Sequence, residues 1–218
     1  MEKTFILGVG AQKSGTSWLY AQLIKNNNVD MGFKKEYHVF DTIYTSRANF
    51  STRNKLLKKF MKNKNTILPK PLGSNLARKK DNNSTLLQQL SFISNPEHYF
   101  DYFGYLAMKN QNVDLVGDIT PSYAGLDPEV YKMIKNELEK RDLKVKVIFL
   151  MRDPIERLWS MARMARRNKA KLGKKNQINE TEEEQLMRLS TGKAAIGRTR
   201  YDKTIANLEK IFPREDIM

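Results

Sequence analysis

Cysteine is absent from this sequence, and histidine occurs twice, as His38 and His98, in 218 residues. The first absence excludes disulfides and thiolate metal centres, and the second leaves little from which to build a zinc site. There is no run of about 18 apolar residues, the length a helix needs to cross a bilayer. The N-terminus shows no charged-then-apolar leader. A soluble, cytoplasmic chain without a membrane span is therefore expected. Internal repeats are also lacking, and the length suits one sizeable core, so residues 1–218 are read as a single domain. Acidic residues are scarce: 24 Asp and Glu stand against 39 Lys and Arg, a net charge of +15. The excess favours a polyanionic partner, whether a nucleotide, an acidic polysaccharide, nucleic acid or a membrane surface, without choosing between them. Part of it is Lys interleaved with Asn, as in Lys62-Asn-Lys-Asn65, which is equally compatible with compositional drift.

What the sequence does have is a strand, a glycine loop and a helix in succession at Phe5 to Tyr20. Phe5, Ile6, Leu7 and Val9 suit a buried parallel strand, Gly8, Gly10 and Gly15 free the backbone to turn, and Trp18, Leu19, Ala21, Gln22 and Leu23 open a helical pattern. Such a loop directs amide N–H groups and the positive end of a helix at one point, an anion site, to which Lys13, Ser14, Thr16 and Ser17 add a charge and three hydroxyls. Gly10-Ala-Gln-Lys-Ser-Gly15 has the glycine spacing of the Walker loop GxxxxGK[ST], but Thr16 follows Gly15 where that loop has Lys, and the lysine sits inside the loop at position 13. No magnesium-binding Asp is apparent in a matching second strand. A sulfuryl group in transfer carries less negative charge than a γ-phosphoryl group, so one lysine plus amides can balance it without a metal.

Further along, Lys34-Lys-Glu-Tyr-His-Val-Phe-Asp41 places a carboxylate, an imidazole and a second carboxylate within six residues, enough for a general base with supporting groups, or for a solvated charged turn. Residues 43–95 are uninformative, a variable helical and loop insertion in which Leu56, Leu57, Phe60 and Met61 form a stripe among lysines and Arg78 to Thr85 reads as a polar loop. Pro96, after Asn95 as cap, opens a helix that buries Tyr99, Phe100, Phe103, Leu106 and Ala107. His98 lies off that stripe, on the surface. Val113 to Gly117 is read as a strand leading to Asp118-Ile-Thr-Pro-Ser-Tyr123. Pro128 begins a helix with Val130, Met133, Ile134 and Leu138 inward, and Lys144 to Met151 is a further strand. Arg152-Asp-Pro-Ile-Glu-Arg-Leu-Trp-Ser160 follows, with Asp153 as cap and Ile155, Leu158, Trp159, Ala162 and Ala165 as the buried face. Strand and helix alternate throughout. The expected fold is α/β, a central parallel β-sheet flanked by helices with a P-loop-like nucleotide-binding core, its ligands beyond the carboxyl ends of the strands.

Several of these strings resemble those of sulfotransferases that use 3′-phosphoadenosine 5′-phosphosulfate (PAPS), in particular the glycan or heparan-sulfate type and bacterial carbohydrate sulfotransferases. Gln12-Lys-Ser-Gly-Thr-Ser-Trp-Leu19 resembles their 5′-phosphosulfate loop. Glu36, His38, Phe40 and Asp41 match a Glu-x-His-Phe-Phe-Asp string that follows one helix later, with Val39 departing from it. Asp118 to Tyr123 resembles a Gly-Glu-Lys-Thr-Pro-x-Tyr segment, with Ile119 where relatives carry lysine. Arg152-Asp-Pro-x-x-Arg followed by Ser160 resembles the 3′-phosphate site. Gly197-Arg-Thr-Arg-Tyr201 and Phe212-Pro-Arg-Glu-Asp-Ile-Met218 resemble segments before a further strand, and on this resemblance the chain is expected to lack the family's C-terminal strand and nucleotide-closing loop.

The resemblance implies an enzyme moving a sulfuryl group from PAPS to a hydroxyl or amine, most readily on a carbohydrate, and leaving 3′,5′-adenosine bisphosphate. It implies Glu36 as base, with Lys13 and His38 as the other catalytic groups. Gln12, Lys13, Ser14, Gly15, Thr16, Ser17, Trp18, Arg152, Ser160 and Arg198 are then expected to hold the donor. Lys35, Asp41, Thr120, Pro121 and Tyr123 are expected to meet the acceptor. No metal and no nucleic-acid partner are expected. Arg163, Arg166, Arg167, Lys169, Lys171, Lys174 and Lys175 form a basic stretch, either a solvated helix end or a patch that draws in an anionic acceptor. The rival readings are a P-loop kinase or NTPase, which calls for magnesium and ATP, and a non-catalytic binder of acidic glycan or nucleic acid.

Overall fold

The apolar run after Lys3 becomes strand β1, Lys3–Gly10, and six successive residues of it are buried, as a strand covered on both faces requires. The computed structural model describes residues 3–45, 56, 58, 82–171 and 180–218. Helix α1 (Thr16–Leu23) follows, then the short strand β2 (Val29–Asp30), α2 (Phe40–Tyr44), α3 (Asn82–Ser94), α4 (Glu97–Met108) and β3 (Leu115–Ile119). A 3₁₀ turn at Pro121–Gly125 leads to α5 (Pro128–Glu139), β4 (Leu143–Phe149), α6 (Pro154–Lys171), α7 (Glu182–Ser190), α8 (Lys193–Thr199) and α9 (Tyr201–Glu209), and a last 3₁₀ turn spans Arg214–Asp216.

The four strands form one parallel sheet in the order β2-β3-β1-β4. β1 lies between β3 and β4, so the loop that follows it opens in the middle of the sheet's carboxyl edge. Gly8 permits the close approach of β3, since a Cβ there would stand 2.9 Å from the Ile119 side chain. In β4 the alternation of Lys with Val is realised as expected, with Leu143, Val145, Val147 and Phe149 buried. At the far edge of β4, Ile217 bridges Val147 in parallel, and Met218 N donates to Val147 O at 2.9 Å.

The core on one side of the sheet is aromatic. Phe5 meets Phe103 edge to face at 4.9 Å between ring centroids, and Tyr37, Phe40, Phe92, Tyr99, Phe100 and Tyr123 pack around them. Helix α4 buries Tyr99, Phe100, Phe103, Leu106 and Ala107 on one face, and the Asn95 side chain accepts from Glu97 N at its start. His98 is exposed and bonded to Ser91.

Four local readings need correction. The strand read at Val113 to Gly117 lies two residues later, because Asp118 and Ile119 pair with β1 and are fully buried. The segment from Asn82 to Thr85, read as loop, is the first turn of α3, whose Leu86, Gln89, Phe92 and Ile93 reach the core. In α6 the inward stripe runs through Arg157 and Ala162; Ile155 is 69% exposed at the solvent-facing start of the helix. Gly197, which opens the segment likened to one before a further strand, lies inside α8. Leu57, Phe60 and Met61 of the lysine-rich stripe, and Lys174 and Lys175 of the basic stretch, lie outside the described residues. Among the described residues no helix is long and apolar enough to cross a membrane.

Candidate active site

A cavity of about 610 Å³ opens at the carboxyl edge of the sheet, where the turns after β1, β3 and β4 converge. Its first wall is the loop from Ala11 to Gly15. Ala11 N donates to Leu150 O and Leu150 N to Gly10 O, both at 2.8 Å, which ties the loop to the chain leaving β4. Lys13 and Gly15 take positive φ, 74° and 98°, and Gly15 is the N-terminal cap of α1. With the chain turned this way, the amides of Gln12, Lys13, Gly15, Thr16 and Ser17 donate to no acceptor among the described residues. Ser14 Oγ is likewise buried without a partner among them. Unpaired donors at the start of a helix demand an anion or water.

Cations crowd the same place. The ammonium of Lys13 has its proton affinity lowered by burial and then by the charges of Arg167, Arg152, Lys35 and Arg163 around it. Lys35 Nζ lies 3.1 Å from Thr16 Oγ1, 3.1 Å from Ser17 Oγ and 2.7 Å from Glu36 Oε1. On the opposite wall, Arg152 leaves the end of β4 and reaches Glu156 at 2.8 Å, and Ser160 and Met164 look into the cavity from α6. Arg198, on α8, donates to Gln12 Oε1 at 2.7 Å and closes the rim.

The third wall carries carboxylates. Ile119 N donates to Lys35 O at 3.0 Å, holding this segment alongside the end of β3. His38 stands at positive φ, 53°, with Nε2 3.2 Å from Glu36 Oε2 and Nδ1 2.8 Å from Asp41 Oδ2. Ser122 Oγ donates to Asp41 Oδ2 at 2.6 Å and lies 3.2 Å from His38 Nδ1. Burial opposes the charge on Glu36, yet the hydrogen bonds from His38 and Lys35 outweigh it and hold the carboxyl down at about 2. Burial opposes the imidazolium too, but Asp41 and Glu36 hold His38 up at about 10. At neutral pH Glu36 is therefore a carboxylate and His38 an imidazolium, which bonds to Glu36 on one side and Asp41 on the other.

Beneath it lies Asp118, fully buried and pushed up to about 6 by that burial. Tyr99 OH, Tyr123 OH and Thr120 Oγ1 donate to it at 3.1, 2.9 and 2.6 Å. Thr120 Oγ1 and Tyr123 OH in turn accept from Tyr37 N (3.0 Å) and Val39 N (3.2 Å), the amides that flank His38. This network is the foundation of the Glu36–Asp41 segment.

The cavity thus collects Gln12, Lys13, Gly15, Thr16, Ser17, Lys35, Glu36, His38, Asp41, Pro121, Arg152, Ser160 and Arg198 from the expected site residues. Four others lie elsewhere. Thr120 and Tyr123 are fully buried and serve the Asp118 network, so neither can touch an acceptor. Trp18 is 67% exposed on the outer face of α1, and Ser14 sits behind the loop instead of lining the cavity. Ser122 and Met164 line the cavity without having been singled out from the sequence. Ser122 is the variable position of Thr-Pro-x-Tyr, and Met164 is one helical turn beyond Ser160, a spacing that places both on one face. Among the described residues no group of three or more His, Asp or Glu side chains is arranged to hold a metal ion.

No family model matches the sequence, and no curated protein matches it. Among solved structures, the chain is similar to the sulfotransferase domain from the Synechococcus PCC 7002 olefin synthase, with 15% identity and a TM-score of 0.48. The similarity covers 99% of this chain and 64% of that one, so this chain spans a little under two thirds of that domain.

Proposed function

We propose that this protein is a sulfotransferase that takes its sulfuryl group from PAPS and delivers it to an acceptor hydroxyl or amine, with a carbohydrate as the leading acceptor class. The observation that carries the reading is the meeting of two cationic poles and one carboxylate–imidazole line in a single cavity: the loop with Lys13, the Arg152 guanidinium, and Glu36 with His38 and Asp41.

The residues present fit the donor. Unpaired loop amides, with the hydroxyls of Thr16 and Ser17, suit its 5′ phosphosulfate, Arg152 and Ser160 suit its 3′ phosphate, and Arg198 stands at the rim beside the nucleotide. Bound there, the donor supplies an activated sulfuryl group. Glu36 would take the proton of the acceptor as the acceptor oxygen or nitrogen bonds to sulfur. The bridging sulfur–oxygen bond breaks in line, and the charge growing on the departing phosphate oxygen is offset by Lys13 and the loop amides. His38 and Asp41 orient Glu36, and Ser122 steadies both of them. The reading is tested by incubating the protein with sulfur-35-labelled PAPS and a panel of saccharides and simple alcohols. Label carried into an acceptor by the unaltered protein, and lost with Glu36→Gln, supports it; no transfer to any acceptor and no release of 3′,5′-adenosine bisphosphate count against it.

A further inference from the structure

An ammonium group has three N–H bonds, and each one on Lys35 has an acceptor. Two point to the hydroxyls of the phosphate loop, Thr16 Oγ1 and Ser17 Oγ, both at 3.1 Å, and the third to Glu36 Oε1 at 2.7 Å. The side chain is 18% exposed, so bulk water offers little substitute for any of the three. The same nitrogen therefore joins the place where an anion would sit to the carboxylate that would act as base. No other side chain of the cavity bonds to both, among the described residues.

We propose that Lys35 couples occupancy of the phosphate loop to the availability of Glu36: an anion seated against Thr16 and Ser17 draws the ammonium off Glu36 Oε1 and leaves that oxygen open to the proton of an acceptor. The proposal rests on the sulfotransferase reading of the site. A fourth acceptor at Lys35 forces an exchange, since the group has no N–H to spare. The two hydroxyls can accept from Lys35 and still donate to the arriving anion, which keeps the ammonium on the loop side, and there the anion competes with Glu36 as the charged acceptor of the third N–H.

Glu36 does not follow the lysine. His38 Nε2 holds Glu36 Oε2, and Asp41 and Ser122 hold His38 from behind. The backbone of Lys35 is fixed by Ile119 N, so the exchange is a movement of the lysine side chain alone. While Lys35 stays in place, both oxygens of Glu36 are engaged and its proton affinity is low. An empty donor site thus keeps the base occupied, and donor binding precedes base activation.

The test is calorimetry with 3′,5′-adenosine bisphosphate, without acceptor and without turnover, on the unaltered chain, Glu36→Gln, Lys35→Met and the double variant. If Glu36 competes with the ligand for Lys35, Glu36→Gln tightens binding by about fivefold to tenfold, and Lys35→Met weakens it by about tenfold. Adding Glu36→Gln to Lys35→Met then changes affinity by less than about twofold, because the competition has gone. Lys35→Gln, which keeps a donor without the charge, serves as the second variant should Lys35→Met fail to fold. Equal tightening by Glu36→Gln with and without Lys35 points to simple charge repulsion and overturns the coupling, as does no tightening at all. Absence of binding by the unaltered protein overturns the donor assignment and the coupling with it, whereas binding that is indifferent to Glu36 overturns the coupling alone.

Discussion

Arg152 Nη1 lies 3.4 Å from the carbonyl oxygen of Lys13, although 139 residues separate the two in sequence. The contact follows from the parallel order of the sheet. β1 and β4 are neighbours, their carboxyl ends coincide, and the turns after them must share one space. That adjacency sets the two cationic poles within one cavity, and the predictions below draw on it.

Replacing Lys13 by Met removes the charge while keeping the length of the side chain and its backbone at positive φ. Sulfuryl transfer should fall by about 10²- to 10³-fold, the range for loss of one group that stabilises developing charge. The melting temperature should stay within about 2 °C, because the side chain serves no core contact. Parallel kinetics and thermal denaturation check both halves.

The sequence reading leaves Asp118 just past the strand, in the segment resembling Gly-Glu-Lys-Thr-Pro-x-Tyr, yet in the fold it lies within β3 and four donors converge on it. Asp118→Asn turns an acceptor towards a donor and leaves at least one buried hydroxyl unpaired, at about 1–3 kcal/mol for each orphaned group. A fall in melting temperature on the order of 5 °C is expected, along with lost activity, because Tyr37 N and Val39 N lose the partners that fix the Glu36–Asp41 segment. Calorimetric melting of the variant beside the unaltered chain measures it.

The elements were largely readable in advance. A buried apolar run, a glycine loop and the alternating Lys-Val pattern of β4 report their own strands, and Asp153 marks the start of α6, its carboxylate accepting from Glu156 N at 2.9 Å. The strings around Glu36 and Arg152 marked most of the cavity. Arg157, Ser122, Thr120 and Tyr123 were not legible in the same way, because which face of a short turn or helix looks inward depends on what packs there. Arg157 would ordinarily be placed outside, and Tyr123 beside an acceptor; the Asp118 network and the approach of α8 decide otherwise.

Arg157 illustrates the point further. It is fully buried, its Nη2 donates to Thr199 Oγ1 at 2.6 Å, and Nε and Nη1 have no partner among the described residues. Removing a poorly satisfied buried charge is neutral or stabilising as a rule. Arg157→Met should therefore keep or raise the melting temperature. It should also loosen α8, which carries Arg198, and weaken binding of 3′,5′-adenosine bisphosphate by about threefold to tenfold. Denaturation and calorimetry on the same sample separate the two effects.

Stability should also respond to alkali through His38. Its proton affinity rises from the usual 6.5 to about 10 on folding, against burial, because Asp41 and Glu36 bond to the imidazolium. A raised value means a stabilisation that is complete below about pH 6.5 and is lost as the pH climbs to about 10. Melting temperatures taken across that interval should decline, and His38→Asn, which tolerates the positive φ, should flatten the decline.

The central claim is that one nucleotide bridges the Lys13 loop and Arg152, and calorimetry without metal reaches it most directly. The account predicts that 3′,5′-adenosine bisphosphate binds in the absence of any divalent ion, and that Arg152→Met weakens it by tenfold or more while leaving the weaker binding of adenosine 5′-monophosphate, which lacks the 3′ phosphate, within about twofold. Magnesium-dependent binding of ATP with no affinity for the bisphosphate, or an equal loss for both adenylates in Arg152→Met, would contradict it.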